Sequence, residues 1–323
     1  MTPHDDALII NHPDTGFISV AGDDSCAFLQ SIITANVATL PVNACRPSAL
    51  LTPQGRVLID MKVYRPATDR FILRCDTARR DDLLGKLRRY RLRRPIEIAI
   101  EPDIRLYILI AKKTVTQSEQ HTESQIINLL GKSAGIIISC IDPRNPDLGT
   151  HILANGAKAS VSVDKIDVWH TARIAAGVPE GAIDLTPERA LMLEAGLDQL
   201  GAVDFEKGCY VGQEVTARTH YRGLVKRRLV PIKTKGKPPI VDSVITWNEK
   251  VIGNSKTAAP SDNGMSICLA LLKLSDIHAI LDWGNDNNGD LAVNGNPASL
   301  AIPDWMMPLP SPSKQQAKEF QKN

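Results

Sequence analysis

The residues best equipped for chemistry lie in one stretch, residues 207–214, which reads KGCYVGQE. It combines a thiol, a cation, a carboxylate and an amide with two glycines, a mixture that is poorly suited to packing. If the backbone from Lys207 to Tyr210 is extended, side-chain alternation places Lys207 and Cys209 on the same face. An ammonium group near a thiol stabilises the thiolate, so we interpret Cys209 as a reactive thiol and Lys207 as its activator.

The alternative for Cys209 is a small apolar side chain in the core, as free cysteines often are. The neighbouring residues favour function. Gly208 and Gly212 permit backbone geometry or close approaches that side chains forbid. Gln213 and Glu214 require water or polar partners. The composition of the stretch therefore favours a functional thiol.

The overall composition is that of an ordinary soluble chain. With 323 residues, 43% hydrophobic and 23% charged, it is long enough to bury substantial core and to form two or three domains. The formal net charge of +2 and a pI near 8.2 give no global indication of a nucleic-acid or membrane protein. Any basic surface must therefore be argued from a local cluster.

The six cysteines form neither a metal-binding nor a disulfide pattern. They are far apart, with no CxxC pair and no histidine grouped with them, so zinc and iron–sulfur ligand signatures are missing. Sparse cysteine in a chain of this size also differs from secreted disulfide frameworks. The sequence shows no apolar run of about 18 residues and no signal-peptide pattern at its N-terminus. We expect no bound metal, no membrane association and a cytoplasmic location.

The first half of the chain alternates between strand and helix patterns. Apolar runs bounded by turn residues predict strands at 17–21, 96–100, 106–111 and 135–140. Between the first two of these, three further strand-like runs are separated by turn residues at 53–55 and at 67–69. Helices are predicted from Asp23 and from about residue 77, the first with an apolar face formed by Phe28, Leu29, Ile32 and Ile33. We expect the strands as far as residue 111 to form one antiparallel sheet covered by helices, an α+β arrangement.

The second half contains a helix pattern and a region of short strands. The helix is predicted from Asp164, with one apolar side that carries Val168, Trp169, Ala172 and Ala176. Residues 224–304 contain short strands separated by Gly, Pro, Asn and Asp, which is typical of a small β-barrel. Residues 112–125 indicate an exposed connection, and the segment from Pro308 predicts a disordered tail.

The stretch KGCYVGQE, followed by Arg218 and by Arg222-Gly223, resembles the signature of the YgfZ family. Its members are bacterial folate-binding proteins that support iron–sulfur proteins, and their mitochondrial counterpart acts late in 4Fe-4S maturation. They are relatives of the glycine-cleavage T-protein, a tetrahydrofolate-dependent aminomethyltransferase. The resemblance spans roughly residues 16–232 and includes FLQ at 28–30, TANV at 34–37, ALLTPQGR at 49–56, RIAAGVP at 173–179 and DQL at 198–200.

The resemblance implies an α+β fold with three domains in a cloverleaf around a central hole, as in the T-protein. The first domain would be split between residues 1–46 and 142–222, and a ferredoxin-like second domain would cover residues 47–141. A small C-terminal β-barrel would cover residues 223–307, with residues 308–323 as the disordered tail.

The resemblance also implies a site for tetrahydrofolate or a derivative. In the related family a tryptophan in this helix lies at the folate site, and Trp169 occupies that position. Arg173 is four residues on, so an aromatic ring and a guanidinium that could grip a carboxylate share a helix face. Asn36, Gln213 and Glu214 are further candidates for the folate site. The alternative is that Trp169 packs in the core and Arg173 forms a structural salt bridge.

The run KLRRYRLRR at residues 86–94 is the strongest local charge signal. Such a run could bind RNA phosphates or the polyglutamate of folate. Leu84, Leu87 and Tyr90 give it an apolar seam, and cations suit the C-terminal end of a helix. These features favour a solvated helix face over nucleic-acid binding.

The function predicted is that of a tetrahydrofolate-binding accessory factor for the assembly or repair of iron–sulfur proteins, 4Fe-4S proteins in particular. Its partners would be iron–sulfur assembly or client proteins. Catalysis and scaffolding both remain open. One alternative is a folate-dependent aminomethyltransferase. The T-protein needs an acidic residue near the folate nitrogen that carries the one-carbon unit, and Asp60 is a loose candidate for it. The other is an RNA-binding protein that affects tRNA modification.

Overall fold

The computed structural model describes residues 7–111, 126–127, 130, 134–156, 165–283 and 290–311. Within these ranges the chain forms two compact units. The first contains the described parts of residues 1–50, 59–169 and 200–211, and the second those of residues 51–58, 170–199 and 212–323. The predicted division into three domains, with boundaries at residues 46, 141, 222 and 307, differs from these two units and stays a prediction.

Two sheets form the framework of the first unit. Their strands are β1 (Ala7–His12), β2 (Thr15–Ala21), β3 (Ala44–Leu51), β4 (Val57–Ala67), β5 (Arg70–Asp76), β6 (Glu97–Ile100), β7 (Ile104–Ala111), β8 (Gly135–Ile141) and β9 (Thr150–Asn155). The five-stranded sheet has the order β3-β4-β5-β2-β6, and the four-stranded sheet has the order β1-β7-β9-β8. The strand patterns and the turns at 53–55 and 67–69 are confirmed.

The assignment of the predicted strands to one sheet is wrong. β6 pairs with β2 in the five-stranded sheet, whereas β7 pairs with β1 and β9 in the other. The sequence pattern did not predict β1 or β9, so β7 was left without its true neighbours. A strand's periodicity shows which face is buried, but its pairing partner is set by distant parts of the chain.

Two helices of the first unit follow their apolar patterns. α1 (Ser25–Gln30) buries Phe28 and Leu29, with Asp24 at the N-cap instead of the predicted Asp23. α2 (Arg80–Arg91) buries Leu83 and Leu87 and carries its arginines in the last turn. These apolar seams attach the helices to the unit, since burying each large apolar side chain stabilises by about 1.5–3 kcal/mol.

The helix α3 (Ile166–Ala175) continues from the first unit into the second, with the boundary after Trp169. Trp169 and Ile174 are fully buried, but Val168 is 44% exposed, so the predicted apolar side is wrong at that position. Arg173 takes part in the buried side instead, at 2% exposure. The predicted start at Asp164 lies outside the described residues.

The second unit contains a closed barrel, as predicted. Its strand order is β10-β13-β12-β11-β14-β15, formed by β10 (Arg227–Lys235), β11 (Val244–Trp247), β12 (Lys250–Pro260), β13 (Met265–Lys273), β14 (Ala292–Val293) and β15 (Asn296–Leu300). The described part of the second unit also contains the helices α4 (Gly181–Asp184), α5 (Gln213–Tyr221) and α6 (Leu274–Asp282). The strand-rich composition had not predicted α6, which lies between β13 and β14.

The chain end departs from the prediction over a few residues. Leu309, inside the segment predicted as disordered, is 5% exposed, and the carbonyl oxygen of Pro310 accepts a hydrogen bond from His278 Nε2 at 3.0 Å. The tail beyond residue 311 and the predicted connection at 112–125 lie outside the described residues. Across the described ranges, no helix has both the length and the apolar character needed to cross a membrane.

Candidate functional site

The stretch KGCYVGQE crosses the boundary between the two units, which falls between Val211 and Gly212. Residues 204–211, here called the motif loop, are neither helix nor strand, and Gly208 has a φ of 96°. Glycine adopts such a positive φ without the steric cost that other residues incur. The backbone from Lys207 to Tyr210 therefore does not form the strand that was the condition for Lys207 and Cys209 to share a face.

Lys207 anchors the motif loop within the first unit. Its Nζ donates hydrogen bonds to the carbonyl oxygens of Ile33 and Ala35, at 2.6 Å each. Burial lowers the pKa of Lys207 to about 8, because removing an ammonium group from water disfavours its charged form. Two short hydrogen bonds from a partly buried cation fix the loop against the chain around residue 34.

Cys209 is exposed, two residues after this anchor. Among the described residues, the Lys207 ammonium contacts the two carbonyl oxygens and the ring of Tyr210, whose centroid lies 5.2 Å from Nζ. The predicted activation of the thiol by Lys207 stays a prediction. The geometry gives the lysine another task, which is to hold the backbone beside an accessible thiol.

Gln30, Asn36 and Asp204 complete the anchor of the motif loop. Asn36 Nδ2 donates to Asp204 Oδ2 at 3.0 Å, while Gln30 Nε2 donates to Asn36 Oδ1 at 3.0 Å and to the carbonyl oxygen of Lys207 at 3.3 Å. Burial alone would raise the pKa of Asp204, but hydrogen bonds from Asn36 and from the backbone of Glu206 and Lys207 lower it. Asn36, predicted as a folate contact, thus serves the loop in this structure.

Tyr210 belongs to the same site, although no sequence pattern indicated it. It is 7% exposed, and its hydroxyl has no hydrogen-bond partner among the described residues. Burial raises the pKa of Tyr210 to about 12. The signal was a tyrosine directly after the thiol of Cys209, but an aromatic residue in that position is equally typical of packing.

The second half of the stretch begins a helix in the second unit. Gly212 has a φ of 82° and precedes α5, which starts at Gln213 and carries Glu214 in its first turn, where a carboxylate suits the helix dipole. A Cβ placed on Gly212 would lie 2.5 Å from the carbonyl oxygen of Thr52. The glycine therefore allows the start of α5 to pack against the turn at residues 52–55.

Trp169, predicted to stack on folate, is fully buried. Its ring stands edge-on to His151, with centroids 5.7 Å apart, and to His12, at 6.5 Å. The indole Nε1–H has no hydrogen-bond partner among the described residues. A ring buried on both faces agrees with the alternative of core packing, and folate stacking stays a prediction that requires this region to open.

Beside Trp169 lies a buried charge network of five residues: Lys62, Tyr64, Asp142, Arg144 and His151. The Asp142 carboxylate accepts from Lys62 Nζ at 2.7 Å and from Arg144 Nη2 at 2.8 Å, and His151 Nε2 lies 3.3 Å from it. The Tyr64 hydroxyl lies 2.7 Å from His151 Nδ1. No local sequence pattern indicates this network, because its members are spread over β4, β9 and the segment after β8.

The charges of the network shift the pKa values of its members. Burial would raise the pKa of Asp142, but the charges of Arg144 and Lys62 hold it well below its usual range. Burial and the charge of Lys62 lower the pKa of His151 to about 3. His151 is therefore neutral at pH 7, and the aspartate is ionised between two cations.

Arg173 forms the structural salt bridge that the alternative predicted. Its Nη1 donates to Asp184 Oδ2 at 2.7 Å and to the carbonyl oxygen of Val178 at 3.1 Å, while Nε donates to His170 Nδ1 at 3.0 Å. Asp184 also accepts from the backbone N–H of Thr257 at 3.0 Å. Gripping a folate carboxylate, which stays a prediction, would compete with the bond to Asp184.

The basic run on α2 shows a solvated face. Arg88, Arg89 and Arg93 are exposed, while Lys86 lies 3.5 Å from Asp82.

Within the described ranges, no group of three or more His, Cys, Asp or Glu side chains is arranged to hold a metal ion.

Two family models match separate parts of the chain. Residues 4–110 match the GCVT N-terminal domain, and residues 226–308 match the C-terminal beta-barrel domain of CAF17. The second match coincides with the observed barrel. The GCVT match covers the segments around Gln30 and Asn36 that anchor the motif loop.

Similar proteins carry names from iron–sulfur cluster assembly. The human protein named iron-sulfur cluster assembly factor IBA57, mitochondrial, is 32% identical over 316 residues, which cover 89% of this chain and 82% of that protein. A homolog of the same name from Pyricularia oryzae is 32% identical over 222 residues. This chain spans 54%, 62% and 59% of the length of three fungal relatives.

A solved structure shows the same fold. The aminomethyltransferase T of the glycine cleavage system from Bartonella henselae aligns with a TM-score of 0.63 over 84% of this chain and 79% of that one. The sequences are 16% identical, so the likeness concerns the fold alone. It confirms the predicted T-protein-like fold.

Proposed function

This chain belongs to the family of the IBA57 iron–sulfur cluster assembly factors, and we propose that it acts as a tetrahydrofolate-binding accessory factor in the assembly or repair of iron–sulfur proteins. The clients would be 4Fe-4S proteins in particular, as the resemblance to the YgfZ signature implies. The observation that carries the proposal is the exposed thiol of Cys209 on a loop anchored by Lys207. An accessible thiol on a fixed backbone suits contact with a partner protein.

In this proposal Cys209 engages an assembly or client protein, and the anchor presents it. Lys207, Asn36 and Gln30 limit the motion of the motif loop, so less conformational entropy is lost when a partner binds. Whether the thiol also reacts depends on its ionisation, which the activation by Lys207 predicted from the sequence would promote.

The thiol is tested by complementing a deletion strain with Cys209→Ser and assaying 4Fe-4S enzymes. We expect the variant to fail while the protein accumulates normally. Cys268→Ser is the matched control, because Cys268 is a buried thiol of the barrel, and it should restore activity. Full rescue by Cys209→Ser would make this cysteine structural and remove the basis of the proposal.

Tetrahydrofolate binding is tested by titration. In the proposed site Trp169 stacks on the pterin after the region opens, so Trp169→Ala should weaken binding at least tenfold. Trp283→Ala is the control, because that side chain is 65% exposed in the second unit. Trp169→Phe keeps an aromatic ring and should retain most of the affinity if the fold is intact. Equal affinity in all four proteins would exclude Trp169 from the folate site.

The alternative functions give different results. An aminomethyltransferase would transfer a methylene group to tetrahydrofolate when supplied with a lipoyl carrier. Measurable turnover would support this enzymatic function over the accessory role. An RNA-binding protein would lose affinity for RNA when the exposed Arg88 and Arg89 are replaced. A cytoplasmic location stays a prediction, whereas the names of the relatives say mitochondrial.

A further inference from the structure

The basic run on α2 contains two kinds of arginine. Arg91 and Arg94 bond back to the first unit. Arg91 Nη1 donates to the carbonyl oxygen of Ile96 at 3.3 Å, and Arg94 Nη1 lies 3.4 Å from Asp24 Oδ2. These two side chains secure the turn that leads from α2 to β6, so a structural role accounts for them.

The other arginines of the run, Arg88, Arg89 and Arg93, have no such role. All three are exposed, and no carboxylate of the described residues forms an ion pair with them. The aspartates in the first turn of α2, Asp81 and Asp82, are paired with other cations. The helix dipole favours cations in the last turn of α2, but Arg93 lies beyond the helix. Three exposed cations at one end of a helix attract anions.

Leu92 lies between these arginines and is 81% exposed, more than any other large apolar side chain of the described residues. Its φ is 53° and its ψ is −117°, and the backbone N–H of Arg94 donates to the carbonyl oxygen of Arg91 at 3.1 Å. The second residue of a type II′ turn has similar angles, about 60° and −120°. Glycine dominates that position, because a Cβ is strained there.

Neither packing nor backbone preference explains a leucine at this position. An exposed leucine gains free energy only when another surface covers it. Strained residues persist where the surrounding structure holds them, and they are concentrated at functional sites. The surface formed by Arg88, Arg89, Leu92 and Arg93, here called the arginine–leucine tip, therefore indicates recognition of a partner that is both anionic and apolar.

Three classes of partner carry anions, and two of them fit the tip less well. Nucleic acids bind arginines through phosphates and stack their bases on aromatic rings, but the one aromatic residue of the run, Tyr90, is only partly exposed. A membrane surface would gain little from one leucine, since stable anchoring requires a larger apolar area. An acidic protein segment supplies carboxylates and an apolar side chain together.

We propose that the arginine–leucine tip binds an acidic segment of a partner protein. The carboxylates of the partner accept hydrogen bonds from the guanidinium groups, whose planar N–H donors suit that geometry. An apolar side chain of the partner covers Leu92. The tip uses neither Cys209 nor Trp169, so the proposal goes beyond the function proposed above and is tested independently of it.

The test measures binding of fluorescently labelled peptides to the full chain by fluorescence anisotropy. One peptide repeats the unit Glu-Glu-Leu-Leu, a second of equal length repeats Glu-Glu-Ser-Ser, and a third repeats Lys-Lys-Leu-Leu. The first should bind about tenfold more tightly than the second, because only leucine can cover the apolar tip. The third should not bind, and the affinity for the first should fall as the salt concentration rises.

Two arginine substitutions test the charges. Replacing Arg88 and Arg89 together by glutamine should weaken binding of the Glu-Leu peptide about tenfold. The control replaces Lys235 and Lys237 together by glutamine, which removes the same charge from exposed positions of the second unit and should leave the affinity unchanged.

Leu92→Gly tests the apolar contact without a risk to folding, because glycine suits the positive φ. The variant should unfold at the same or a higher denaturant concentration, yet it should no longer distinguish the Glu-Leu peptide from the Glu-Ser peptide. Ile240→Gly is the control, because that side chain is 78% exposed in the second unit, and it should bind both peptides as the wild type does.

Three results would overturn the proposal. One is equal behaviour of the Glu-Leu and Glu-Ser peptides with the wild type, whether both bind or neither does. Another is undiminished affinity of Leu92→Gly for the Glu-Leu peptide. The third is tighter binding, dependent on Arg88 and Arg89, of poly(U) RNA or of phosphatidylglycerol vesicles than of the Glu-Leu peptide, which would assign the tip to a nucleic acid or to a lipid surface.

Discussion

The motif loop and the buried charge network place polar groups in opposite settings. The loop exposes Cys209 and secures it through hydrogen bonds from Lys207, whereas the network keeps Asp142 and His151 fully away from water. The residues of the loop are contiguous in sequence, and those of the network come from β4, β9 and the segment after β8. A charge at the surface can be lost with small effect, but a buried one leaves its partners unpaired when it is removed.

The largest expected effect is on the buried network. Asp142→Ala leaves the Lys62 and Arg144 cations without their carboxylate, and we expect the free energy of unfolding to fall by about 3–5 kcal/mol. Denaturant titration measures the loss. Asp82→Ala removes a carboxylate that is 43% exposed and paired with Arg79, and should cost less than about 1 kcal/mol. Similar losses in the two variants would contradict the contrast.

A smaller effect is expected where the loop enters the second unit. Gly212→Ala combines a φ of 82° with a Cβ only 2.5 Å from the carbonyl oxygen of Thr52, so we expect a loss of about 2–4 kcal/mol. Gly201→Ala has a φ of 75° with no atom within 4 Å of the new Cβ, and should lose only about 1 kcal/mol. If the two variants unfold at the same denaturant concentration, the close approach to the Thr52 carbonyl oxygen does not reduce the stability of Gly212→Ala.

The pH dependence of stability distinguishes the network from the loop. The pKa of His151 is about 3 in the folded protein, while an unfolded histidine titrates near pH 6.5. Between those values the unfolded state binds a proton that the folded state does not, so stability falls as pH drops from 6.5 toward 3. The slope contributed is about 1.4 kcal/mol per pH unit. In His151→Gln that contribution should disappear from denaturant titrations over this range; an unchanged slope would show that His151 is protonated in the folded protein.

The smallest effect is expected at the thiol itself. If Lys207 serves as an anchor, Lys207→Gln should change the rate of Cys209 alkylation by iodoacetamide at pH 7 by less than about twofold, while hydrogen exchange in residues 204–211 increases. If the ammonium stabilises the thiolate by one pKa unit, alkylation should slow by up to about tenfold. The first result supports anchoring, and the second supports the activation predicted from the sequence.

Several features were predictable because their signals are local. Turn residues separated β3 from β4 and β4 from β5, and Leu87 of the predicted apolar seam is buried on α2. The strand pattern after residue 224 predicted the barrel, and the T-protein-like fold followed from the resemblance. In each case the information lies within a few residues or in a contiguous motif.

Other features could not be predicted because they depend on distant contacts. The predicted helix face placed Val168 inside, whereas Arg173 is buried, since its ion pair with Asp184 compensates the charge. The pairing of β7 with β1 and β9 likewise depends on strands about 40 to 100 residues away.

The sequence by itself determined where the unusual chemistry lies, because thiol, cation, carboxylate and glycines stand together in residues 207–214. Only the tertiary structure decided what each group contacts. It turned the Lys207 ammonium toward two carbonyl oxygens, enclosed Trp169 beside a charge network and brought the Cys45 thiol to the carbonyl oxygen of Ile141. The physical reason is that hydrogen bonds and burial act through space, at distances that sequence spacing does not encode.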